Sequence, residues 1–193
     1  MISRLMHKII LASQSPRRRQ LMEAAELVFD IVIADVDETN PAGMDGALVP
    51  EYLAKKKAAA IEKHAHDAII VAADTVVLLD SEILNKPKDE ADAINILKKL
   101  SGRVHKVVTG VCMQKAEKQI CFSTTTEVHF RKLSDEQIVH YVSEYKPYDK
   151  AGAYAIQEWI GMIGIEKIDG DYYNVMGLPI GEVVIRLKQD FNF

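Results

Sequence analysis

The chain has 193 residues, 48% of them apolar, and a formal net charge of −4. This length and composition suit a single domain over 1–193 with a sizeable core. The acidic balance argues against non-specific binding to nucleic acid or to anionic membranes. No window contains 18 uninterrupted apolar residues, so the sequence predicts no membrane-spanning helix.

The first three predicted elements surround a serine- and arginine-rich turn. Residues 8–13 form an apolar segment that fits a first strand better than a signal peptide. A helix over about 16–26 follows, with a serine as its cap and proline at its first position. Alternating residues over 28–36 predict a second strand, which runs into an acidic loop.

The central part of the chain predicts a helix, a buried strand and a second helix. Pro50 opens a helix over about 51–66 that is rich in alanine and lysine. The near-continuous apolar run 67–80 is typical of a strand buried on both faces. Asp89 caps a helix that extends to about Leu100.

The last third of the chain predicts two hairpins and two helices. "VVTGVCMQ" and "QICFSTTTEVHF" flank the polar turn "KAEK" as a hairpin. Ser134 and Gln137 form a capping-box pattern before the next helix. "MIGIEKI" and "DYYNVM" predict a hairpin around Asp169-Gly170, and the last helix starts after Gly177 and Pro179. Strands, helices and hairpins together indicate an α/β fold with a mixed sheet.

The predicted register of the first hairpin places the two cysteines of the chain opposite each other. If Gln114 faces Gln119, then Cys112 faces Cys121. Because we identify no export signal, we expect a cytoplasmic protein in which both cysteines remain reduced.

Ser13, Ser15 and Pro16 are followed directly by Arg17, Arg18 and Arg19. Cations are unfavourable at the positive end of a helix dipole, by a few tenths to about 1 kcal/mol each. The arrangement therefore raises the question of which anion the first turn binds, since main-chain N–H groups at a helix start are suited to phosphate.

Acidic residues follow two of the predicted strands. Asp74 interrupts the buried run, where a carboxylate is costly unless it is paired or bound to a metal. It could be a structural acceptor of hydrogen bonds, a metal ligand or a base. Asp35, Asp37 and Glu38 lie in a loop and could be solvated, or could complete a Mg²⁺ site with Asp74.

Lysines and a glutamine add candidate contacts to a ligand. Of Lys55, Lys56 and Lys57, at most two can point inward from one helix. Lys86 lies in the loop "NKPKD". In "DKAGAYAIQEW", small residues allow close approach of a ligand, and the amide of Gln157 carries both a donor and an acceptor suited to a base edge.

These stretches, in order, resemble the Maf family of nucleoside triphosphate pyrophosphatases. The resemblance covers nearly the whole chain and rests on "ASQSPRRRQLM", "VDE", "EYLAKKKA", "AADTVV", "NKPKD", "LSGRVHKVVTGV", "YDKAGAYAIQ" and "GDYYNVMGLPI". It implies a fold like that of the inosine triphosphate pyrophosphatases: an elongated mixed sheet, surrounding helices and two lobes around a central cleft. It also implies hydrolysis of a nucleoside triphosphate to the monophosphate and pyrophosphate with Mg²⁺ or Mn²⁺, a homodimer, and a link to arrest of cell division.

The resemblance also assigns roles to particular residues. It implies that the triphosphate is bound by five residues, namely Ser13, Ser15, Arg17, Lys57 and Lys86. Glu38 matches an acidic position that suits a metal ligand. Asp74 matches the proton acceptor, which would deprotonate a metal-activated water attacking the α-phosphorus and could also touch the metal. Lys55 and Lys56 match no such position and are expected to be solvated.

Three residues place the resemblance in the branch that hydrolyses dTTP and UTP. Arg17, Thr75 and Gln157 match the specificity positions of that branch. A 7-methyl-GTP pyrophosphatase and a non-catalytic nucleotide sensor in division control are the alternatives. Gln14 and Glu158-Trp159 depart from the family pattern, and the second departure lies beside the residue expected to contact the base.

Overall fold

A computed structural model describes residues 8–65 and 67–193 of the chain. Its seven strands are β1 (Ile9–Leu11), β2 (Phe29–Ile31), β3 (Ile69–Leu79), β4 (Glu82–Leu84), β5 (Val104–Lys115), β6 (Lys118–Phe130) and β7 (Ile165–Asp169). Its helices are α1 (Pro16–Ala24), α2 (Val49–Ala65), α3 (Glu90–Leu100), α4 (Asp135–Tyr145), α5 (Trp159–Gly164), α6 (Tyr172–Met176) and α7 (Ile180–Phe191). Among the described residues, no helix has the length and apolar character needed to cross a membrane.

All seven strands belong to one mixed sheet, which confirms the predicted α/β class. The order is β2-β1-β3-β5-β6-β7, and β4 pairs with β3 outside this path. β1 runs parallel to β2 and to β3, whereas the other pairings are antiparallel.

Among the described residues, one edge of β3 pairs with other strands only near the two ends of β3. β5 pairs with the other edge over Ile70–Leu78. On the open edge, β1 pairs with Ile69–Val71 and β4 with Val77–Leu79. Within the part of the chain that the structure describes, residues 72–76 therefore have no strand partner on that side. This interval, which we call the β3 gap, includes Asp74.

The side chains of β3 alternate between two apolar layers. Ile70 and Ala72 pack with alanines of α2, and Val76 and Leu78 pack with its first turn. The intervening side chains face the larger core, formed with α1, α3, α4, α6 and α7. Burial of both faces explains the near-continuous apolar run of this strand.

A glycine on β5 brings α2 close to the sheet. Gly110 is the register partner of Asp74. A Cβ at Gly110 would lie 2.1 Å from the backbone nitrogen of Glu51, at the start of α2. The missing side chain therefore lets α2 approach the sheet directly beside Asp74.

Three expectations about elements are wrong. β2 covers Phe29–Ile31 instead of 28–36, because β1 has only three residues to pair with it. The hairpin around Asp169-Gly170 does not form: "DYYNVM" contains α6, whose first turn is capped by the Asp171 carboxylate accepting from the Tyr173 N–H at 2.7 Å. The first three residues of "MIGIEKI" lie in α5, and the last four lie in β7.

The other boundaries follow the predictions closely. Ser15 caps α1, Asp89 caps α3 and Ser134 caps α4 with the expected capping box. The helix predicted over 51–66 corresponds to α2, and residue 66 lies outside the described residues.

The cysteine pair has the predicted register but not the predicted redox state. Cys112 on β5 is directly opposite Cys121 on β6, with their Cα atoms 4.1 Å apart. The structure joins them in a disulfide, so the expectation of two reduced thiols is wrong. Residues directly opposite on neighbouring strands point to the same face of the sheet, which brings the two sulfurs together.

Candidate active site

A cavity of about 370 Å³ opens at the β3 gap. Its walls come from the first turn of α1, α2, the β3 gap, the segment 149–157 and the end of α6. All the residues to which the sequence assigned a role line it: Ser13, Ser15, Arg17, Glu38, Lys57, Asp74, Thr75, Lys86 and Gln157. The fold thus brings together side chains that are up to 144 positions apart in the chain.

The turn before α1 forms a compact hydroxyl and N–H cluster. The Ser13 hydroxyl accepts from the Ser15 N–H at 3.2 Å, and the Ser15 hydroxyl accepts from the Arg18 N–H at 3.5 Å. Arg17 reaches Asp149 across the cavity, with Nη1 3.2 Å from Oδ2. This end of the cavity combines a helix start with a guanidinium, which suits a phosphate group.

Arg18 is a site residue that the sequence interpretation did not single out. Its guanidinium is buried and donates to the carbonyls of Gly177 and Ala73, both at 2.8 Å, and to the hydroxyls of Ser13 at 3.2 Å and Thr75 at 3.0 Å. Burial lowers the pKa of Arg18. The bond to Ala73 satisfies a main-chain carbonyl in the β3 gap, where a strand partner is missing.

A helical spacing could have identified Arg18. Leu21 and Met22 follow it at three and four positions, and all three are buried. Residues with this spacing share one helix face, so an arginine on that face requires buried acceptors. Arg19 instead lies on the exposed side and pairs with Glu23 at 2.7 Å.

Lys57 holds the two carboxylates of the site. Its Nζ lies 2.7 Å from Glu38 Oε1 and 2.7 Å from Asp74 Oδ1. The lysine and Asp74 side chains are only 10% and 15% exposed, whereas that of Glu38 is 56% exposed. The hydrogen bond from Lys57 is the main reason that the pKa of Glu38 is below its ordinary value.

The positions of Glu38 and Asp74 are compatible with a divalent cation. Both oxygens contact one nitrogen, so they lie no farther apart than twice that contact distance. Mg²⁺ is commonly held by one or two carboxylates together with substrate phosphates and water. Within 8–65 and 67–193, no group of three or more His, Cys, Asp or Glu side chains forms a metal cluster.

The other lysines and loop acids have more peripheral positions. Lys86 is exposed at the cavity wall. Its charge lowers the pKa of Glu38, although less than Lys57 does, whereas burial acts in the opposite direction. Lys55 is exposed as expected. Lys56 is not simply solvated, because its Nζ donates to the backbone carbonyl of Asp37. Asp35 is not among the cavity-lining residues.

Thr75 is oriented by a chain of buried hydrogen bonds. Its hydroxyl accepts from Arg18 and lies 2.9 Å from the hydroxyl of Thr109, which in turn donates to the Asn174 carbonyl at 3.1 Å. The Thr75 hydroxyl also lies 3.4 Å from the Gly177 carbonyl, to which it can donate, so either threonine can be the donor between the two hydroxyls. These contacts hold the Thr75 hydroxyl in place at the cavity wall.

Gln157 belongs to the cavity wall formed by the segment 149–157. The residue is exposed. Among the described residues, no group forms a hydrogen bond with this amide. Its donor and acceptor are both available to a ligand, which matches what the sequence predicts for a side chain that binds a base edge.

The sequence profile described as "Maf-like protein" matches residues 8–190. Proteins named dTTP/UTP pyrophosphatase are similar over nearly the whole chain. That of Cytophaga hutchinsonii is 47% identical over 184 residues, covering 95% of this chain and 84% of that protein. That of Phocaeicola vulgatus is 46% identical over 185 residues, covering 95% and 96%. That of Porphyromonas gingivalis is 46% identical over 186 residues, covering 94% of each.

Two solved structures have partial likeness to this fold. The Staphylococcus aureus Ham1 protein aligns with a TM-score of 0.45 at 18% identity, over 64% of this chain and 71% of that chain. A nucleoside-triphosphatase, dITP/XTP pyrophosphatase, from Mycobacterium abscessus aligns with a TM-score of 0.45 at 20% identity, over 65% and 75%.

Proposed function

The chain belongs to the Maf family, and on that premise we propose that it is a hydrolase that converts dTTP and UTP to the monophosphate and pyrophosphate. Its relatives at 46–47% identity carry the name dTTP/UTP pyrophosphatase. The observation that carries the proposal is the joint placement of cationic side chains and the Glu38–Lys57–Asp74 group around one cavity.

The triphosphate is bound by the turn before α1 and by two lysines. Ser13 and Ser15 supply hydroxyls beside a helix start, and Arg17 offers a guanidinium suited to bidentate contact with phosphate oxygens. Lys57 and Lys86 add charge from two other walls. Together these cationic side chains compensate the negative charge of the triphosphate. Because the whole protein has a net charge of −4, this compensation requires positive side chains to be concentrated at the site.

Asp74 accepts the proton of the attacking water. The water oxygen bonds to the α-phosphorus, the bond from that phosphorus to the bridging oxygen breaks, and pyrophosphate leaves. The carboxylate takes the proton that the water loses. The position of Asp74 in the β3 gap supports this role, because the gap exposes a carboxylate on an otherwise buried strand.

We also propose that a divalent cation, Mg²⁺ or alternatively Mn²⁺, is held by Glu38 and Asp74. When bound, such a cation neutralises phosphate charge and lowers the pKa of a coordinated water. The two carboxylates already converge on Lys57 Nζ. With a cation held there, Lys57 would be available to contact the phosphate tail.

Arg17, Thr75 and Gln157 select the substrate. Uracil and thymine present an N3–H donor between two carbonyl acceptors, and the free amide of Gln157 can bind a donor-acceptor pair on that edge. Thr75 contributes a hydroxyl whose position is held by Arg18 and Thr109.

We propose a cytoplasmic protein that works as a homodimer with a single domain over 1–193. Its partner is the nucleotide substrate, with neither nucleic acid nor a membrane surface as a ligand, consistent with the acidic net charge. A role in removing unwanted nucleotides or in arresting cell division fits this chemistry.

A product analysis tests the proposed function. Incubation of dTTP with Mg²⁺ and the protein should yield dTMP and pyrophosphate, detected separately from phosphate. First products of dTDP and phosphate would contradict cleavage between the α- and β-phosphates. Preferred turnover of 7-methyl-GTP would instead identify the other branch, and turnover of no triphosphate would support a sensor.

A further inference from the structure

Tyr141 forms a hydrogen-bonded clamp around Gln157. This tyrosine of α4 is fully buried. Its hydroxyl accepts from the Ala155 N–H at 3.2 Å and donates to Glu158 Oε2. One phenol oxygen therefore contacts the chain two residues before Gln157 and one residue after it.

The Tyr141 hydroxyl keeps its proton and can therefore act as a hydrogen-bond donor. Burial, followed by the hydrogen bond to Glu158, raises the pKa of Tyr141. A hydroxyl has one proton and two lone pairs, so donation to Glu158 and acceptance from Ala155 can occur together. The clamp is complete in the free protein.

A chain of ion pairs connects the clamp to the phosphate end of the cavity. Lys150 Nζ lies 3.5 Å from Glu158 Oε1 and 2.7 Å from Asp149 Oδ1, and Asp149 Oδ2 lies 3.2 Å from Arg17 Nη1. Burial opposes ionisation of Asp149, but the hydrogen bond and charge of Lys150 and the charge of Arg17 keep its pKa below the ordinary value. Positive and negative side chains therefore alternate along this series of ion pairs, from Glu158 to Arg17.

The backbone on the other side of Glu158 is also closely packed. Gly161 donates its N–H to the Glu158 carbonyl at 3.0 Å. A Cβ at Gly161 would lie 1.8 Å from the Ile156 carbonyl oxygen. The segment that carries Gln157 thus has little room to shift, while the amide of Gln157 itself remains without a partner among the described residues.

We propose that Tyr141 and Glu158 are positioning residues that hold Gln157 at a fixed distance from Arg17 and thereby determine base selectivity. Neither side chain lines the cavity wall, so both act through Gln157. The inference rests on the proposed function, since it takes Gln157 to bind the base and Arg17 to bind phosphate. A ligand must then match the distance between these two groups as well as the hydrogen bonds of each.

The first test compares selectivity among variants. Tyr141→Phe keeps the buried ring but removes the oxygen that bonds both sides of Gln157, and Glu158→Ala removes the carboxylate. We expect each to lower the ratio of kcat/KM for UTP to that for GTP by about tenfold, the effect of one misplaced hydrogen bond, mainly through KM for UTP. Glu158→Gln keeps an acceptor for Tyr141, so its UTP to GTP ratio should lie between that of Glu158→Ala and that of the unaltered protein.

The matched control is Tyr145→Phe. Tyr145 lies one turn along α4, stacks on Tyr141 with ring centroids 4.9 Å apart, and is 38% exposed. The Tyr145→Phe change removes the same atom but neither of the hydrogen bonds that Tyr141 makes to Ala155 and Glu158, so the selectivity of this variant should equal that of the unaltered protein. A loss of stability alone would reduce turnover of UTP and GTP equally and leave the ratio unchanged, which would overturn the proposal.

A double variant tests whether the clamp acts through Gln157. In a Gln157→Ala background, Tyr141→Phe should have no further effect on the UTP to GTP ratio, because the side chain that it positions is absent. Full additivity of the two changes would show that Tyr141 acts by another route and would contradict the proposal.

Hydrogen exchange gives a readout that does not depend on turnover. In the free protein, the Ala155 amide should be protected, and Tyr141→Phe should accelerate its exchange at least about tenfold while Tyr145→Phe should not. Unchanged exchange in Tyr141→Phe would refute the clamp even if no nucleotide were hydrolysed. Accelerated exchange together with an inactive parent protein would contradict only the proposed function.

Discussion

Arg17 and Arg18 are adjacent in sequence but have opposite surroundings. Arg17 is partly exposed in the cavity, where its guanidinium pairs with Asp149. Arg18 is buried and makes four hydrogen bonds to protein oxygens. Because of the helical period of α1, the side chain of Arg17 points toward the cavity and that of Arg18 points into the packed interior beside it.

Replacing Asp74 with asparagine should leave a folded protein with little activity. Asparagine has nearly the same size but cannot accept a proton and is a weak ligand for a divalent cation. General-base assistance contributes about 10²–10⁴-fold, so kcat for pyrophosphate release should fall at least a hundredfold. The surface variant Asp80→Asn, at the end of the same strand, is the control. A loss below about tenfold with an unchanged melting curve would contradict the role of Asp74.

Replacing Gln157 with glutamate should change which base is accepted. The variant exchanges an NH₂ donor for an acceptor, which would face a carbonyl of uracil or thymine at a cost of about 1–3 kcal/mol. We expect kcat/KM for dTTP and UTP to fall roughly ten- to a hundredfold. 7-Methyl-GTP, with paired N–H donors, should lose less or gain. Equal losses for all three substrates would mean that Gln157 shapes the cavity without binding the base.

Among the helices and strands, the predictions that are confirmed rest on patterns of neighbouring residues. The β5–β6 register follows from strand alternation and a short turn, and the pairs Gln114–Gln119 and Cys112–Cys121 both form. The cap residues Ser15, Asp89 and Ser134 each act on their own first turn. Such signals span only a few residues and need no knowledge of the rest of the fold.

The incorrect predictions depend on distant parts of the chain. The Asp169-Gly170 hairpin failed because Asn174 in α6 is held by the carbonyl of Val107 and the hydroxyl of Thr126, at 3.1 and 2.9 Å. Nothing near Asn174 in sequence reveals these partners. The resemblance to a family singled out residues that the fold brings to one cavity, whereas the hydrogen bonds of Tyr141 could not be inferred from its neighbours along α4.

The disulfide should stabilise the β5–β6 hairpin. It closes a loop with a sequence separation of 9, for which chain entropy predicts about 2–3 kcal/mol of stabilisation. Reduction should therefore lower the melting temperature, whereas Cys121→Ser should melt at this lower temperature with or without reductant. Alkylation of denatured protein purified without reductant should label neither cysteine. Two labelled cysteines would show that the bond does not form.

At the scale of the whole molecule, the free energy of unfolding should depend on pH through one buried histidine. His105 is 1% exposed, and its Nε2 lies 2.7 Å from the hydroxyl of Tyr154. Burial, with a smaller contribution from His129, lowers its pKa to about 3. In the unfolded chain a histidine is protonated below about pH 6.5, so between these values the unfolded state binds a proton that the folded state does not.

The free energy of unfolding should consequently fall as the pH decreases from about 6.5 toward 3, by up to about 1.4 kcal/mol per pH unit from this residue. Urea unfolding at several pH values from 7 to 5 gives the free energy of unfolding of the unaltered protein and of His105→Gln, so that their pH dependence can be compared. The variant should lose less stability over this range, and the exposed His140→Gln should behave like the parent. Identical slopes for His105→Gln and the parent would contradict the lowered pKa.

The β3 gap has a consequence for how the two halves of the cavity stay in place. Asp74 and Thr75 are consecutive, so their side chains leave the strand on opposite faces, yet both line the same cavity. The carboxylate with Lys57 lies on the α2 face, and the hydroxyl with Thr109 lies on the other. Their Cα atoms are about 3.8 Å apart across one planar peptide. The spacing between the Cα atoms of the proposed proton acceptor and of the threonine proposed to face the base is therefore set by covalent geometry, which does not vary when the surrounding helices move.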